Sequence, residues 1–163
     1  AYESGPRLIG AVNRFLSQDI QATGWFITLF WLEIDPVGQQ LTWIRAGHDP
    51  ALLYDPTRDR FERLEGDGMA LGIEHDYRFQ AYTKEGWAAN SILLMGTDGL
   101  HETRDPAGSM YGVDNMCRTI RRHRAGSAAE IKDALLQSID AYRQDRPRED
   151  DTTLVVVKLG GAT

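Results

Sequence analysis

A strongly apolar segment runs into an acidic corner in the stretch Ser91-Ile-Leu-Leu-Met-Gly-Thr-Asp98-Gly-Leu-His-Glu102. A second junction of this kind follows farther along the chain, in Arg148-Glu-Asp150-Asp151-Thr-Thr-Leu-Val-Val-Val157. An unpaired carboxylate is costly beside an apolar core, so carboxylates at strand ends usually have a compensating partner, often a hard cation. The two corners together therefore predict a metal site, although ordinary turn chemistry also places Asp and Gly at strand ends.

The composition indicates a globular domain and argues against several partners. The chain has 163 residues, 42% hydrophobic and 26% charged, which is enough for one domain with a substantial core. Its formal net charge of −6 argues against nucleic acid, because affinity for that backbone depends on clustered Lys and Arg. No apolar run approaches the roughly twenty residues that span a bilayer, which argues against membrane insertion. The single Cys117 and the absence of a signal-peptide pattern predict a cytoplasmic location.

The first half of the chain predicts one helix followed by closely spaced strands. Apolar residues between Pro6 and Ile20 recur at helical spacing and predict an amphipathic helix. The nearly continuous apolar run 25–34 predicts a strand buried on both faces or nearly so, and Asp35-Pro-Val-Gly38 predicts the turn of a hairpin. The predicted strands of this half are 25–34, 41–46, 51–54, 61–64, 77–82 and 91–95.

The apolar spacing becomes helical after Gly112. Val113, Met116 and Ile120 indicate one helix, and Ser127-Ala-Ala-Glu130 is a capping box that opens a second one. A final strand is predicted at 152–159. Because no internal repeat or linker interrupts the sequence, we predict a single α+β domain over residues 1–163, with its strands sandwiched by helices.

Several short motifs occur in an order that resembles a known enzyme family. Together they are similar to the bacterial metal-dependent serine phosphatases of the SpoIIE and RsbU type, a branch of the PP2C-like (PPM) family. The resemblance runs through most of the chain. The motifs are Phe26-Ile-Thr-Leu-Phe30 with Asp35-Pro, Ala46-Gly-His-Asp-Pro-Ala-Leu-Leu53, Gly68-Met-Ala-Leu-Gly-Ile73, Thr97-Asp98-Gly-Leu-His-Glu102, Asp105-Pro-Ala-Gly-Ser-Met-Tyr-Gly112 and Glu149-Asp150-Asp151-Thr152.

This resemblance implies a fold, a reaction and a set of site residues. The implied fold is a sandwich of two antiparallel β-sheets flanked by helices, in the layer order α-β-β-α. In that family two Mn²⁺ or Mg²⁺ ions, held by Asp side chains and water, activate water for in-line attack on phosphoserine or phosphothreonine. Matched motif by motif, Asp98 and Asp150 are the implied metal ligands and catalytic residues. Asp151 is implied as a weaker ligand, or as a residue that supports the ligands by hydrogen bonding.

One motif of the family has no counterpart in the sequence. The family's first acidic motif is a Gly-Asp that supplies a carboxylate bridging both metals, and it precedes the first helix. We therefore expect a domain trimmed at its N-terminus, with low metal affinity and incomplete catalysis. Asp19 and Asp35 are poor substitutes, because a helix end and a hairpin turn usually place Asp in solvent. A sheet edge left exposed in this way would favour a homodimer or strand exchange.

Two histidines allow both a catalytic and a structural interpretation. His48 could polarise a phosphate or carry a proton to the leaving oxygen, but its position in an Ala-Gly-His segment favours a hydrogen-bonded structural role. His101 lies closer to the predicted metals and could serve as an acid. Its position is variable in the family, so it is not included among the catalytic residues.

Three functions are consistent with these features. The first is a phosphatase that acts on a phosphorylated STAS-type anti-sigma-factor antagonist in a partner-switching pathway, with a sensor or receiver domain upstream; substrate, pathway and domain come from the resemblance. The second is a phosphatase fold that binds a partner without hydrolysis. The third is a metal-dependent hydrolase of a small phosphorylated molecule. Retention of Asp98, Asp150 and Asp151 argues against the second, because a lost activity would tolerate Asn or Ala there.

Overall fold

A computed structural model describes residues 4–20 and 23–160 of the chain. Within this part, contacts divide the chain into two compact units. The first contains residues up to 50 and 64–86, and the second contains 51–63 and the residues from 87 onwards. The elements in chain order are α1 Ser4–Ile20, β1 Leu29–Asp35, β2 Gln40–Ala46, β3 Ala51–Asp55, β4 Arg60–Leu64, β5 Tyr82–Glu85, β6 Ser91–Gly96, α2 Gly112–His123, α3 Ala128–Arg143 and β7 Leu154–Leu159.

The first unit combines α1 with a three-stranded sheet in the order β1-β2-β5. Both strand pairs are antiparallel, and Trp31 of β1 stands opposite Ile44 of β2. Ile9 of α1 joins Ile44 in the core of this unit, and a Cβ atom added to Gly5 would already lie 3.2 Å from the Ile44 side chain. The helix therefore packs closely against the sheet through its small and apolar face. The buried core residues are Ile9, Ile44, Ala46, Leu71 and Phe79.

One buried amide fastens α1 to a distant loop of the first unit. The Asn13 side chain is fully buried, and its Nδ2 donates to the backbone oxygens of Glu74 at 2.8 Å and His75 at 3.1 Å. Its Oδ1 accepts a hydrogen bond from the Gly72 backbone nitrogen at 2.9 Å. Because a buried polar group is costly without partners, these three bonds fix both the amide and the loop.

The second unit combines a four-stranded sheet, in the order β4-β3-β6-β7, with α2 and α3. Strand β6 pairs antiparallel with β3 and β7, and Ile92 and Leu94 contribute to the helix-covered core. Ser127 and Glu130 start α3 with the predicted capping box: the Glu130 nitrogen donates to Ser127 Oγ, and the Ser127 nitrogen donates to Glu130 Oε2 at 2.7 Å. The other buried core residues are Leu52, Tyr54, Leu100, Tyr111, Met116, Ile120, Ile131, Leu135 and Ile139.

The predicted fold class is confirmed, whereas three predicted strands have wrong boundaries. The strand predicted at 25–34 begins at Leu29, and Trp25, Phe26 and Ile27 are 74%, 60% and 45% exposed. Apolar composition alone suggested a buried strand there, but within the described residues Ile27 forms only a single isolated bridge, to Leu71.

The strand predicted at 77–82 lies instead at Tyr82–Glu85. Tyr77 and Phe79 alternate as strand residues do, yet they belong to a loop. Phe79 packs into the core of the first unit, with its ring centroid 4.9 Å from that of Tyr77. The alternating apolar residues reflect side chains that the loop buries in turn. They do not indicate a backbone that pairs with another strand. The last strand begins at Leu154 rather than at residue 152. In residues 4–20 and 23–160, no helix is long and apolar enough to cross a membrane.

Candidate functional site

The first acidic corner is a tight turn held by its own backbone. A short 3₁₀ helix, Asp98–Leu100, follows β6 after the single residue Thr97. The backbone oxygen of Asp98 accepts from the nitrogens of His101 at 3.0 Å and Glu102 at 2.9 Å. Gly99 and Leu100 are buried while the Asp98 residue is exposed. The turn therefore anchors the main chain in the core and leaves Asp98 accessible to a ligand.

The second acidic corner lies in the loop between α3 and β7. Asp150 and Asp151 are both exposed, and Asp150 Oδ1 accepts from the Asp151 backbone nitrogen at 2.7 Å. This local bond restricts the Asp150 carboxylate while leaving its second oxygen available for another partner.

Thr97 joins the two corners. Its backbone nitrogen donates to the Thr153 oxygen at 3.0 Å, and its Oγ1 accepts from the Thr153 nitrogen at 3.1 Å and donates to the Asp151 oxygen at 3.2 Å. Gly99 adds a close approach, because a Cβ atom on Gly99 would lie only 2.6 Å from the Asp151 oxygen. The corners continue the β6–β7 pairing, which ends at Gly96 opposite Leu154. The three aspartates predicted from the sequence thus belong to one end of one sheet.

The donor chemistry of the joined corners suits a hard divalent cation. Carboxylate oxygens are the ligands that Mg²⁺ and Mn²⁺ prefer. Across residues 4–20 and 23–160, however, no group of three or more His, Cys, Asp or Glu side chains is placed to hold a metal ion. Asp98, Asp150 and Asp151 therefore have the right chemistry for a metal site but do not form a complete ligand set in this arrangement.

An arginine-lined cleft of about 210 Å³ adjoins the corners. Gly99 borders it from the first corner and Asp150 from the second. Its other lining residues are Glu102, Thr103, Arg104, Ile139, Arg143, Arg146, Pro147, Arg148, Glu149 and Thr152. Sequence reasoning missed this group of arginines. The spacing in Arg143-Gln-Asp-Arg146-Pro-Arg148, directly before Asp150, is the signal that could have indicated it.

Two of these arginines share one carboxylate at the end of α3. Arg143 Nε donates to Asp140 Oδ1 at 2.9 Å, and Arg148 Nη2 donates to the same oxygen at 3.1 Å. These hydrogen bonds lower the pKa of the Asp140 carboxyl, and the one from Arg143 contributes more than the one from Arg148. The shared contact holds the arginine-rich loop against the helix that precedes it.

Arg146 makes a second set of contacts within the cleft. Its Nε donates to Glu149 Oε1 at 3.1 Å, and its Nη1 donates to the Asp105 backbone oxygen at 3.1 Å. Asp105 belongs to the segment that follows the first corner, so Arg146 connects the two sides of the cleft.

The remaining residues considered in the sequence have structural surroundings. Asp35 Oδ1 accepts from the backbone nitrogens of Val37 at 3.0 Å and Gly38 at 2.9 Å, as a turn residue does, and Asp19 is exposed near the end of α1. His48, in the first unit, has its Nδ1 3.0 Å from the Asp49 backbone oxygen, and its ring packs edge-on to Phe30. These contacts agree with the structural interpretation of His48.

Two residues of the second unit were also singled out in the sequence. His101 closes the turn after Asp98, because its backbone nitrogen donates to the Asp98 oxygen and its own oxygen accepts from the Gly112 nitrogen at 2.8 Å. Cys117 is half-buried, and desolvation raises the pKa of its thiol. A raised pKa disfavours the reactive thiolate, in agreement with an inert packing role.

Residues 4–20 and 23–160 form two antiparallel sheets and three α-helices. This arrangement is an α+β fold of the PP2C-like class, as the solved structures that match it show. The Mn-presoaked phosphatase domain of SpoIIE from Bacillus subtilis matches with a TM-score of 0.70 at 20% identity, over 99% of this chain and 71% of that chain. The SiaA-PP2C domain of Pseudomonas aeruginosa matches with a TM-score of 0.79 at 17% identity, over 94% and 60%. At such identities the likeness shows the fold.

The family follows from the sequence match. The family model of Stage II sporulation protein E (SpoIIE) matches residues 3–160, and the chain belongs to this family. Phosphoserine phosphatase RsbU of Bacillus subtilis is 31% identical over 147 residues, which cover 90% of this chain and 43% of RsbU. Phosphoserine phosphatase RsbP of the same organism is 28% identical, over 88% of this chain and 34% of RsbP. The chain thus spans less than half the length of either relative.

Proposed function

We propose that this chain is a metal-dependent phosphoprotein phosphatase domain that hydrolyses phosphoserine. The observation that carries the proposal is the joining of two acidic corners through Thr97, which brings Asp98 and the Asp150–Asp151 pair to one end of one sheet. Relatives named phosphoserine phosphatases support the same reaction.

In the proposed mechanism, Asp98 and Asp150 hold divalent metal, and Asp151 is a weaker ligand or supports them. Two Mn²⁺ or Mg²⁺ ions are proposed, in line with a relative studied after presoaking with Mn and with RsbX, which was solved in complex with magnesium. Such ions offset charge on phosphoryl oxygens and lower the pKa of water, which phosphate monoester hydrolysis requires at neutral pH. The protein's own contribution is positional: Thr97 fixes the backbone at Asp151, and the 3₁₀ turn presents Asp98 to the ligand.

The proposed substrate is a phosphorylated STAS-type anti-sigma-factor antagonist in a partner-switching pathway of the cytoplasm. A sensor or receiver domain upstream and a homodimer are further proposals. They rest on the resemblance to the RsbU and RsbP type of phosphatase rather than on contacts in this chain.

A second candidate is a binding module with the same fold and no hydrolysis. The observation in its favour is that the described residues place no group of three or more possible ligands together. A site short of ligands would bind metal weakly, and the fold could then serve recognition alone.

The test is Mn²⁺-dependent phosphate release from a phosphoserine STAS protein, measured for this chain and for a form extended upstream to include the family's first acidic motif, with Mn²⁺ binding measured separately by calorimetry. Replacing Asp98 by Asn should lower turnover by more than the about 10- to 100-fold that is typical for residues supporting a metal ligand. Asp114→Asn, at an exposed position of α2, is the matched control and should retain full turnover. Circular dichroism would verify that both variants fold.

Three results would change the assignment. Unchanged turnover of Asp98→Asn would remove Asp98 from the site. No phosphate release by either folded form, while a competent phosphatase releases phosphate from the same substrate, would favour the binding module. Equal rates on the phosphoprotein, free phosphoserine and nucleotides would indicate a small-molecule hydrolase, since recognition of a folded substrate should favour the protein strongly.

A further inference from the structure

The cleft beside the corners is rich in arginine, and its lining carries a slight excess of positive charge in an otherwise acidic chain. Four of its lining residues are arginines and three are carboxylates, whereas the whole chain carries a formal net charge of −6. Ile139 and Pro147 add apolar surface to the lining. Arginines beside an apolar surface are typical of sites that recognise planar anions such as carboxylates.

Two of the arginines keep donors for a ligand. A guanidinium carries five N–H groups. Arg148 is 55% exposed and uses only Nη2, toward the Asp140 oxygens at 3.1 and 3.4 Å, in hydrogen bonds with the residues that the structure describes. Within the same part of the chain, Arg104 uses only Nη1, toward the Gly108 oxygen at 2.8 Å. The remaining donors of both side chains can bind an anion without breaking these contacts.

The other two arginines fix the shape of the cleft. Arg143 Nη1 donates to the Arg146 backbone oxygen at 2.6 Å, and Arg146 Nη1 donates to the Asp105 backbone oxygen at 3.1 Å. The loop that carries Arg148 is therefore fastened both to α3 and to the segment after the first corner. A preformed site of this kind loses less conformational entropy on binding.

We propose that this cleft binds carboxylates of the phosphoprotein substrate that flank its phosphoserine, with Arg148 and Arg104 as the recognition residues. The inference rests on the proposed phosphatase function. Asp150, the proposed metal ligand, itself lines the cleft. A substrate phosphate at the acidic corners would therefore place neighbouring residues of an extended chain, spaced about 3.3 Å apart, beside the arginines. The cleft would distinguish substrates by their flanking charge.

The experiment uses two fluorescein-labelled phosphoserine peptides that differ only in flanking residues, Asp and Glu in one and Asn and Gln in the other. Fluorescence anisotropy without added metal gives the dissociation constants for the chain and its variants. The unmodified chain should prefer the acidic peptide. Arg148→Gln should weaken binding of that peptide about 5- to 10-fold, because a charge-assisted bidentate contact is lost. Binding of the neutral peptide should not change.

Arg104→Gln is the second variant and should show the same selective loss. Arg122→Gln, at an exposed position on α2 outside the cleft, is the matched control and should bind both peptides as the unmodified chain does. Circular dichroism would establish that each variant is folded. Equal affinity for the two peptides, or an equal loss in Arg122→Gln, would overturn the proposal.

Two further arms separate this inference from the function on which it rests. Inorganic phosphate that displaces the acidic peptide at equal concentration would show a general anion site and contradict carboxylate recognition. Mn²⁺-dependent hydrolysis of the same peptides is measured in parallel. Selective binding without hydrolysis, by this chain and by the form extended upstream, would refute the phosphatase and leave the acidic-segment site standing, whereas hydrolysis without selectivity would refute only the cleft.

Discussion

The turn after β6 is closed by its own backbone, whereas the loop before β7 is held in place by arginine side chains. In the first, the Asp98 oxygen closes the turn and Gly99 lies buried against the Asp151 oxygen. In the second, Asp150 and Asp151 are exposed, and the loop before them is fixed by Arg146 and its neighbours. The turn at the first corner is therefore closed by local hydrogen bonds, whereas the loop before the second corner depends on arginine side chains, which makes the second corner the easier one to displace.

The largest effect is expected where the two corners touch. Gly99→Ala places a methyl carbon only 2.6 Å from the Asp151 backbone oxygen, so the backbone must move. We expect the free energy of unfolding to fall by about 1–3 kcal/mol, as for other overpacked sites, and phosphate release to fall with it. Urea denaturation measures the first quantity. Gly10→Ala is the control: its Cβ would meet nothing closer than 3.7 Å, so stability should be kept or raised.

Removal of the Thr97 hydroxyl should separate the corners while leaving the first turn intact. Thr97→Val loses the bonds to the Thr153 nitrogen and the Asp151 oxygen. We expect a loss of about 1–2 kcal/mol in the free energy of unfolding and weaker Mn²⁺ binding by calorimetry. Thr57→Val, exposed in the turn before β4, should change neither quantity. Mn²⁺ binding unchanged in Thr97→Val would show that the corners do not act together.

A smaller effect is expected when only the second corner is loosened. Arg146→Gln removes the contacts with Glu149 and the Asp105 oxygen. Because the Glu149 side chain is 56% exposed, the global cost should stay below about 1 kcal/mol. Hydrogen exchange should nevertheless become faster around Asp150 and Asp151 and remain unchanged around Asp98. Equal acceleration at both corners would contradict the difference in how they are held.

The smallest effect concerns acid stability near the second corner. The pKa of the Asp140 carboxyl is lowered in the folded chain. The ionised carboxylate therefore stabilises the fold at pH values above its ordinary pKa, and this stabilisation is lost as the pH falls through the lowered pKa. The Asp140 side chain is 43% exposed, so the gain is well below about 1 kcal/mol. Asp140→Asn should be less stable than the unmodified chain at neutral pH and equally stable in strong acid. A constant difference across this pH range would exclude the carboxylate as its cause.

The sequence was most informative where structure depends on neighbouring residues. Ser127 and Glu130 predicted the start of α3, because a capping box uses only contacts three residues apart. The prediction of strands at 25–28 and 77–81 was wrong. A strand also needs a neighbouring strand to pair with, and such neighbours lie far away in the sequence. Trp25 and Phe79 are residue types that are common in strands. Trp25 is nevertheless exposed, and Phe79 is buried although it belongs to a loop.

The site divides in the same way. Asp98 and Asp150 could be proposed together because each belongs to a recognisable motif, and the structure brings their corners together at one sheet end; their role in metal binding remains a prediction. The spacing of Arg143, Arg146 and Arg148 could have indicated one side of the cleft, but its other side, with Arg104, lies about 40 residues earlier and is brought close only by the fold.

The buried amide of Asn13 has a consequence for the kinetics of folding. Its partners lie 59 to 62 residues away along the chain, so the clamp can form only after the intervening strands have been brought together. We expect such a late contact to be largely absent from the transition state for folding. Asn13→Ala should therefore accelerate unfolding while leaving the refolding rate nearly unchanged. The attachment of α1 to its loop would then set the unfolding rate of the first unit, and with it the lifetime of its native state.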